Sequence, residues 1–136
     1  LLEHFLGSCG LIGTIEYIVG KQRFPATRTT PDLILNQKML HGMVEKGSQA
    51  CVMEVTSHAL DQKRVDCIDY DVAVYSNLTL DHLDYHQTME NYADAKKKLF
   101  SNLGKLKSKK KGAKWAIVNQ DSPWTPRLLD GCTAQV

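Results

Sequence analysis

No run of apolar residues in this 136-residue chain approaches the ~20 needed to cross a bilayer as a helix. The first residues, Leu1-Leu2-Glu3-His4-Phe5, lack a basic stretch followed by a long apolar core, so they do not read as a secretory signal. An initiating Met is also missing, and the expectation is an internal segment or a processed chain. The charge excess of only +2 argues for neither nucleic acid nor an anionic membrane as partner. Cysteine is sparse and scattered: Cys9, Cys51, Cys67 and Cys132 form no Cys-x-x-Cys pair. They read as reduced thiols of a cytoplasmic protein rather than as a disulfide framework. No G-x-x-x-x-G-K-[ST] loop occurs, and the glycines at 7, 10 and 13 lack its lysine and spacing, so the chain does not cradle a triphosphate in that manner. There is no internal repeat.

What is present is the composition of an ordinary globular protein, 43% hydrophobic and 24% charged, in a length that suits one modest domain. Leu1, Leu2, Phe5 and Leu6 recur at helical spacing and stop at Gly7, like the end of a helix. Residues 11–30 mix Gly, β-branched and polar residues, which suits short strands or a hairpin-like excursion. A helix is expected to open at Thr30-Pro31-Asp32, with Thr30 as cap and Pro31 in the first turn. Leu33, Asn36, Leu40, Met43 and Val44 would share its face, with Gly47 as the stop.

Three short bounded apolar runs, 51–55, 71–76 and 115–118, read as buried strands. Helical segments between them imply crossover connections, hence an α/β fold with a mostly parallel sheet flanked by helices. Ligands of such sheets bind beyond the carboxyl ends of the strands. Those ends carry Glu54-Val55-Thr56-Ser57-His58, Asn77-Leu78-Thr79-Leu80-Asp81-His82 and Asn119-Gln120-Asp121, all with polar side chains suited to chemistry. The basic stretch 104–114 has no interleaved aromatics and reads as a solvated surface loop, not a nucleic-acid patch.

The segment 88–103 is the most informative helix. Met89, Tyr92, Ala93, Leu99, Phe100 and Leu103 fall on one side at ~100° per residue, with Lys96 inside the stripe and Lys97 and Lys98 turned away. A lysine so placed either lays its methylenes on the core and carries its ammonium to water, or loses its charge to desolvation. In the second case the neutral amine can take up carbon dioxide as a carbamate, whose oxygens suit a hard cation such as Mg²⁺. Glu54 and His82 could complete such a site. Other readings stand beside this one: His82, His86, Asp81 and Asp84 as part of a zinc site, Glu54 as a paired strand-end carboxylate, Arg64 as a surface ion pair, and His58 as a structural histidine.

Thr29-Thr30-Pro31, then residues 53–65 (MEVTSHALDQKRV), then 77–86 (NLTLDHLDYH) followed by Tyr92-Ala93-Asp94-Ala95-Lys96, resemble the central domain of the Mur ligases, most closely the MurE type. The resemblance runs from the first helix to about Asp121. It implies a P-loop-NTPase-like domain that is incomplete here, the phosphate loop lying upstream and a C-terminal domain downstream. It also implies Glu54, His82 and a carbamylated Lys96 as catalytic Mg²⁺ ligands. Thr29, Thr30, Thr56, Gln62 and Arg64 would bind substrate; Thr56 stands where serine is more usual. Asn119 would lie near the ATP adenine, although the second acidic residue expected there is Ser122. The expected partners are ATP, UDP-N-acetylmuramoyl-L-alanyl-D-glutamate and a diamino acid, meso-diaminopimelate or lysine, joined through an acyl phosphate. A monomeric cytoplasmic enzyme is expected, with no nucleic-acid or membrane partner. Other Mur ligases, the folylpolyglutamate synthases and a non-catalytic binding remnant remain open.

Overall fold

The computed structural model describes residues 1–105 and 112–136, so most of the basic stretch 104–114 lies outside the described residues. It divides into two compact units, Leu1–Asp66 and Cys67–Val136. Each unit has its own cluster of buried apolar side chains. Among the described residues no helix is long and apolar enough to cross a membrane.

The first unit contains α1 (Leu2–Leu6), β1 (Cys9–Ile12), β2 (Glu16–Val19), β3 (Gln22–Pro25), α2 (Leu33–Glu45), β4 (Ala50–Met53) and α3 (Ser57–Asp61). Its sheet has the order β3-β2-β1-β4. Strands β1 and β4 pair in parallel, Gly10 opposite Cys51 and Ile12 opposite Met53. β2 and β3 form the antiparallel hairpin that 11–30 suggested, turning at Gly20 with φ 63°. Ile12, Tyr17 and Val19 point inward and pack with Met39 and Met43 of α2. Close approach needs small residues on both sides: a Cβ at Gly10 would lie 2.3 Å from Met43 Sδ, and one at Gly42 would lie 3.2 Å from Val19 Cγ1.

The start of α2 departs from the expected cap. Asp32 is the N-cap, its carboxylate accepting from Leu35 N at 2.9 Å. Thr30 and Pro31 are buried outside the helix, and the Thr30 hydroxyl is committed elsewhere. The buried stripe is Asn36, Met39 and Met43, while Val44, one ~100° step beyond Met43, is 72% exposed. The short α1 forms as expected and ends at Gly7 in the left-handed region, but buries none of its residues.

The second unit contains β5 (Val72–Tyr75), α4 (Leu83–His86), α5 (Met89–Asn102), β6 (Trp115–Val118) and α6 (Thr125–Leu129). β5 and β6 pair in parallel, with Ala73 opposite Ala116 and Tyr75 opposite Val118. Ala73, Tyr75 and Ala116 face Ala93, Phe100 and Leu103 at the α5 end of the core, and Leu128 of α6 closes it. The other face of these strands, Val72, Val74, Trp115 and Ile117, stays about half exposed. Thr88 caps α5 by accepting from Asn91 N at 3.1 Å. Arg127 of α6 forks onto Asp94 of α5 at 2.7 and 2.8 Å, and Lys97 pairs with Asp130. Lys114 sits between Asp69 and Asp71 at 3.0 and 2.9 Å. All four cysteines are free thiols, and burial, with the neighbouring Cys9 as a smaller cause, pushes the Cys51 thiol up to about 11.

Candidate active site

In the first unit the parallel strands β1 and β4 end side by side and deliver Gly13-Thr14 and Glu54 to the same edge, where Glu54 N bonds Ile12 O at 2.9 Å. Thr14 Oγ1 donates to Glu54 Oε2 at 2.5 Å and lies 3.1 Å from the Thr29 hydroxyl. A Cβ on Gly13 would come within 3.0 Å of Glu54 Oε1, so a residue without a side chain leaves room for the carboxylate. Thr14 went unassigned from sequence. Its only signal in the sequence is a hydroxyl one glycine beyond the apolar pair Leu11-Ile12.

Thr29 lies at the end of a loop held by one phenol. Tyr17 OH accepts from Thr27 N and Arg28 N at 3.2 and 3.0 Å and donates to Arg28 O at 2.5 Å. The neighbouring Thr30 is 1% exposed. Its hydroxyl donates to Glu54 O at 2.8 Å and accepts from Thr56 N at 3.0 Å, joining the end of β4 to the start of α3. Thr56 caps α3, its hydroxyl accepting from Ala59 N at 3.2 Å. Arg64 Nη1 donates to Thr30 O at 3.1 Å, and its other terminal nitrogen reaches Gln62 Oε1. Asn36, fully buried, donates to Pro31 O and Arg64 O at 3.0 and 3.2 Å. Thr29, Thr30, Thr56, Gln62 and Arg64 are therefore gathered in one neighbourhood of this unit. Thr30 is engaged with the backbone, whereas Thr29 and Gln62 keep more solvent-facing surface.

In the second unit His82 and Lys96 come together on one ring. His82 sits at the start of α4 with φ 58°, its backbone N–H donating to Asp81 Oδ1 at 2.7 Å. Its imidazole meets Tyr92 edge-on, centroids 5.5 Å apart at 85°. Lys96 Nζ stands 5.6 Å from the centroid of the same ring. His86, buried, stacks on Tyr92 at 5.3 Å and 11°, while Asn91 Nδ2 holds its carbonyl at 2.9 Å. Burial holds the Lys96 amine below the usual lysine range. Burial raises the Tyr92 phenol, helped by the charges of Asp81 and Tyr75. The expected stripe holds in α5, with Tyr92, Ala93 and Phe100 buried and Ala95 added to it. Among the described residues no three of His, Cys, Asp or Glu assemble as a group that could hold a metal ion.

Asn119 follows β6, and its side chain serves the loop. Asn119 Oδ1 accepts from Asp121 N at 3.0 Å and its carbonyl receives the Thr125 hydroxyl. Ser122, standing where an acid was expected, is buried with its hydroxyl 2.7 Å from Tyr75 OH.

The family model of the Mur ligase middle domain matches residues 1–135. The chain belongs to the Mur ligase family. Among its Mur ligase relatives, the UDP-N-acetylmuramoyl-L-alanyl-D-glutamate--2,6-diaminopimelate ligase of Geobacillus kaustophilus (strain HTA426) is 49% identical over 114 residues, 84% of this chain and 23% of that protein. The ligase of the same name from Oceanobacillus iheyensis (strain DSM 14371) is 44% identical over 135 residues, 99% of this chain and 27% of that protein. A solved structure of a UDP-N-acetylmuramoyl-L-alanyl-D-glutamate--2,6-diaminopimelate ligase superposes with a TM-score of 0.78 at 32% identity, over 96% of this chain and 25% of that one. The chain thus spans about a quarter of the length of these Mur ligase relatives.

A magnesium ion suits the donors this Mur ligase segment offers. The Glu54 carboxylate is steadied on one oxygen by Thr14 and has glycine against the other. The neutral form of an amine accepts carbon dioxide, releasing one proton and gaining two hard oxygens, and burial of Lys96 shifts the balance towards that form. A carboxylate in the first unit, and an imidazole and a half-buried lysine in the second, are each groups from which donors for a metal ion can be built.

Proposed function

We propose that this chain is the central segment of an ATP-dependent ligase that joins diaminopimelate to UDP-N-acetylmuramoyl-L-alanyl-D-glutamate. The observation that carries the reading is Lys96: a lysine inside the apolar stripe of α5, its amine held by burial below the usual lysine range, in a chain 44% identical over nearly its full length to a ligase of that name. On this reading the phosphate-binding loop and a further domain lie in sequence outside these 136 residues. The bare apolar face of β5 and β6 supports that view, because parallel strands are ordinarily covered on both faces.

In the proposed reaction a carboxylate oxygen of the D-glutamyl acceptor attacks the γ-phosphorus of ATP, and ADP leaves. An amine of diaminopimelate then attacks the acyl phosphate carbonyl, phosphate leaves, and the amine gives up a proton as the amide forms. Glu54, His82 and carbamylated Lys96 would hold Mg²⁺, which supplies the positive charge that lets two anions meet. Thr14 keeps the Glu54 carboxylate aimed by donating to it. Thr29, Gln62 and Arg64 present hydroxyl, amide and guanidinium groups suited to a multiply anionic acceptor, with Thr30 and Thr56 fixing the backbone beneath them. Asn119 shapes the loop proposed to lie near the adenine. A reaction that consumes ATP belongs in the cytoplasm, where ATP is held.

The test is acceptor-dependent ADP release by the full protein that carries this chain. The rate should require both UDP-N-acetylmuramoyl-L-alanyl-D-glutamate and diaminopimelate. Lys96→Ala should lower it by about 10²–10³-fold, the scale of removing one preorganised electrostatic group, with acetate or formate restoring part. A Lys96→Ala enzyme at wild-type rate without either additive would refute the assignment.

A further inference from the structure

Tyr92 received no role from the sequence beyond its place in an apolar stripe, yet three side chains of the second unit meet on its ring. His82 touches the ring edge-on at 5.5 Å, Lys96 Nζ stands 5.6 Å from its centroid, and His86 stacks at 5.3 Å with planes only 11° apart. The ring itself is 6% exposed. His86 is fixed in turn: Tyr85 meets it edge-on at 4.8 Å, and its carbonyl receives both Asn91 Nδ2 at 2.9 Å and Thr88 N at 2.8 Å.

Helix geometry explains why this tyrosine can serve both partners. Tyr92 and Lys96 are one turn apart on α5, so their side chains lie on one face. His82 comes from outside that helix, on a backbone held at φ 58°. A non-glycine residue in the left-handed region persists only where its surroundings hold it there. Two side chains from different segments keep a fixed spacing only if something rigid stands between them, and an aromatic ring with two torsions is suited to that.

We propose that Tyr92 is a positioning residue: its ring is the common wall that spaces the His82 imidazole from the Lys96 side chain, with His86 stacked on it to stop it turning. This rests on the reading of His82 and Lys96 given above, and concerns the ring rather than the phenolic oxygen. Tyr92→Phe should therefore be silent where Tyr92→Leu is not.

The experiment uses the full protein and two readouts apart from turnover. One is the ¹³C signal of the lysine carbamate in ¹³C-bicarbonate; the other is the shift of the His82 ring resonances on titrating Mg²⁺ without nucleotide. Tyr92→Phe should match wild type in both. Tyr92→Leu should need about tenfold more Mg²⁺ for the His82 shift and lose most of the carbamate signal, the scale seen when a group supporting metal ligands is removed. Tyr92→Met, closer to the original in length, is read in the same way if the leucine variant does not fold. A folded Leu or Met variant with both readouts unchanged overturns the proposal, as does a Phe variant damaged as severely as Leu. Wild type lacking both signals would overturn the reading of His82 and Lys96, and the role of Tyr92 with it. Both signals in wild type with a silent Tyr92→Leu would overturn the role of Tyr92 alone.

Discussion

Replacing Thr30 by Val keeps the shape of the side chain and removes one hydroxyl, and that hydroxyl has two backbone partners. It donates to Glu54 O at 2.8 Å and accepts from Thr56 N at 3.0 Å, in a residue 1% exposed. A buried polar group left without its partner costs about 1–3 kcal/mol. Both partners are only partly buried, which places each near the lower end, so Thr30→Val should destabilise the chain by about 2 kcal/mol. In a unit of this size that corresponds to a fall in Tm of about 10 °C. Thr30→Ser keeps the hydroxyl and loses a methyl, at about 1 kcal/mol. Amide exchange separates the two variants better than stability does. The Thr56 amide should stay protected in wild type and in Thr30→Ser, and exchange much faster in Thr30→Val. Unchanged protection of Thr56 in the valine variant would refute the bridge, and with it the view that Thr30 acts through the backbone.

Gly10→Ala would set a Cβ 2.3 Å from Met43 Sδ, and because a methionine can partly yield, the cost should be about 1–3 kcal/mol, read as a lower urea midpoint. The hydrogen bonds from Arg127 hold the Asp94 carboxyl below the usual range against a smaller opposing effect of burial. That stability is present above the ordinary aspartate value and is lost as pH falls through the lowered folded one. Asp94→Asn should therefore flatten the acid limb of the stability curve while costing less than about 1 kcal/mol at neutral pH, since the pair is nearly half exposed. An acid limb as steep in the asparagine variant as in wild type would place the titrating group elsewhere.

The strands with strong local signals were legible in the sequence. The run Trp115–Val118 is β6, the run at 71–76 contains β5 and that at 51–55 overlaps β4, because short bounded apolar stretches leave little choice of conformation. The stripe on α5 was equally plain, since six apolar residues at helical spacing fix a face. Thr30 misled for a local reason: Thr, Pro and Asp in succession all favour a helix start, and only long-range partners decide which of them caps. Thr14 and Tyr92 stayed hidden because their roles depend on residues 40, 10 and four positions away, meeting through tertiary structure or helix geometry. Asn119 was visible as a polar strand end, but not the turn that its carboxamide closes.

The phenol of Tyr17 has a consequence for how this protein can vary. It grips residues 27 and 28 chiefly through their main chain, taking two amide hydrogens and giving one to a carbonyl. Bonds to peptide groups do not depend on which side chains those residues carry. The loop that brings Thr29 to Thr14 can thus change its lettering at positions 27 and 28 and keep its course, proline excepted, since proline has no hydrogen to give. The constraint on that loop lies ten and eleven positions away from its own letters, in a single aromatic residue on β2; mutational drift should be tolerated in the loop and punished at Tyr17.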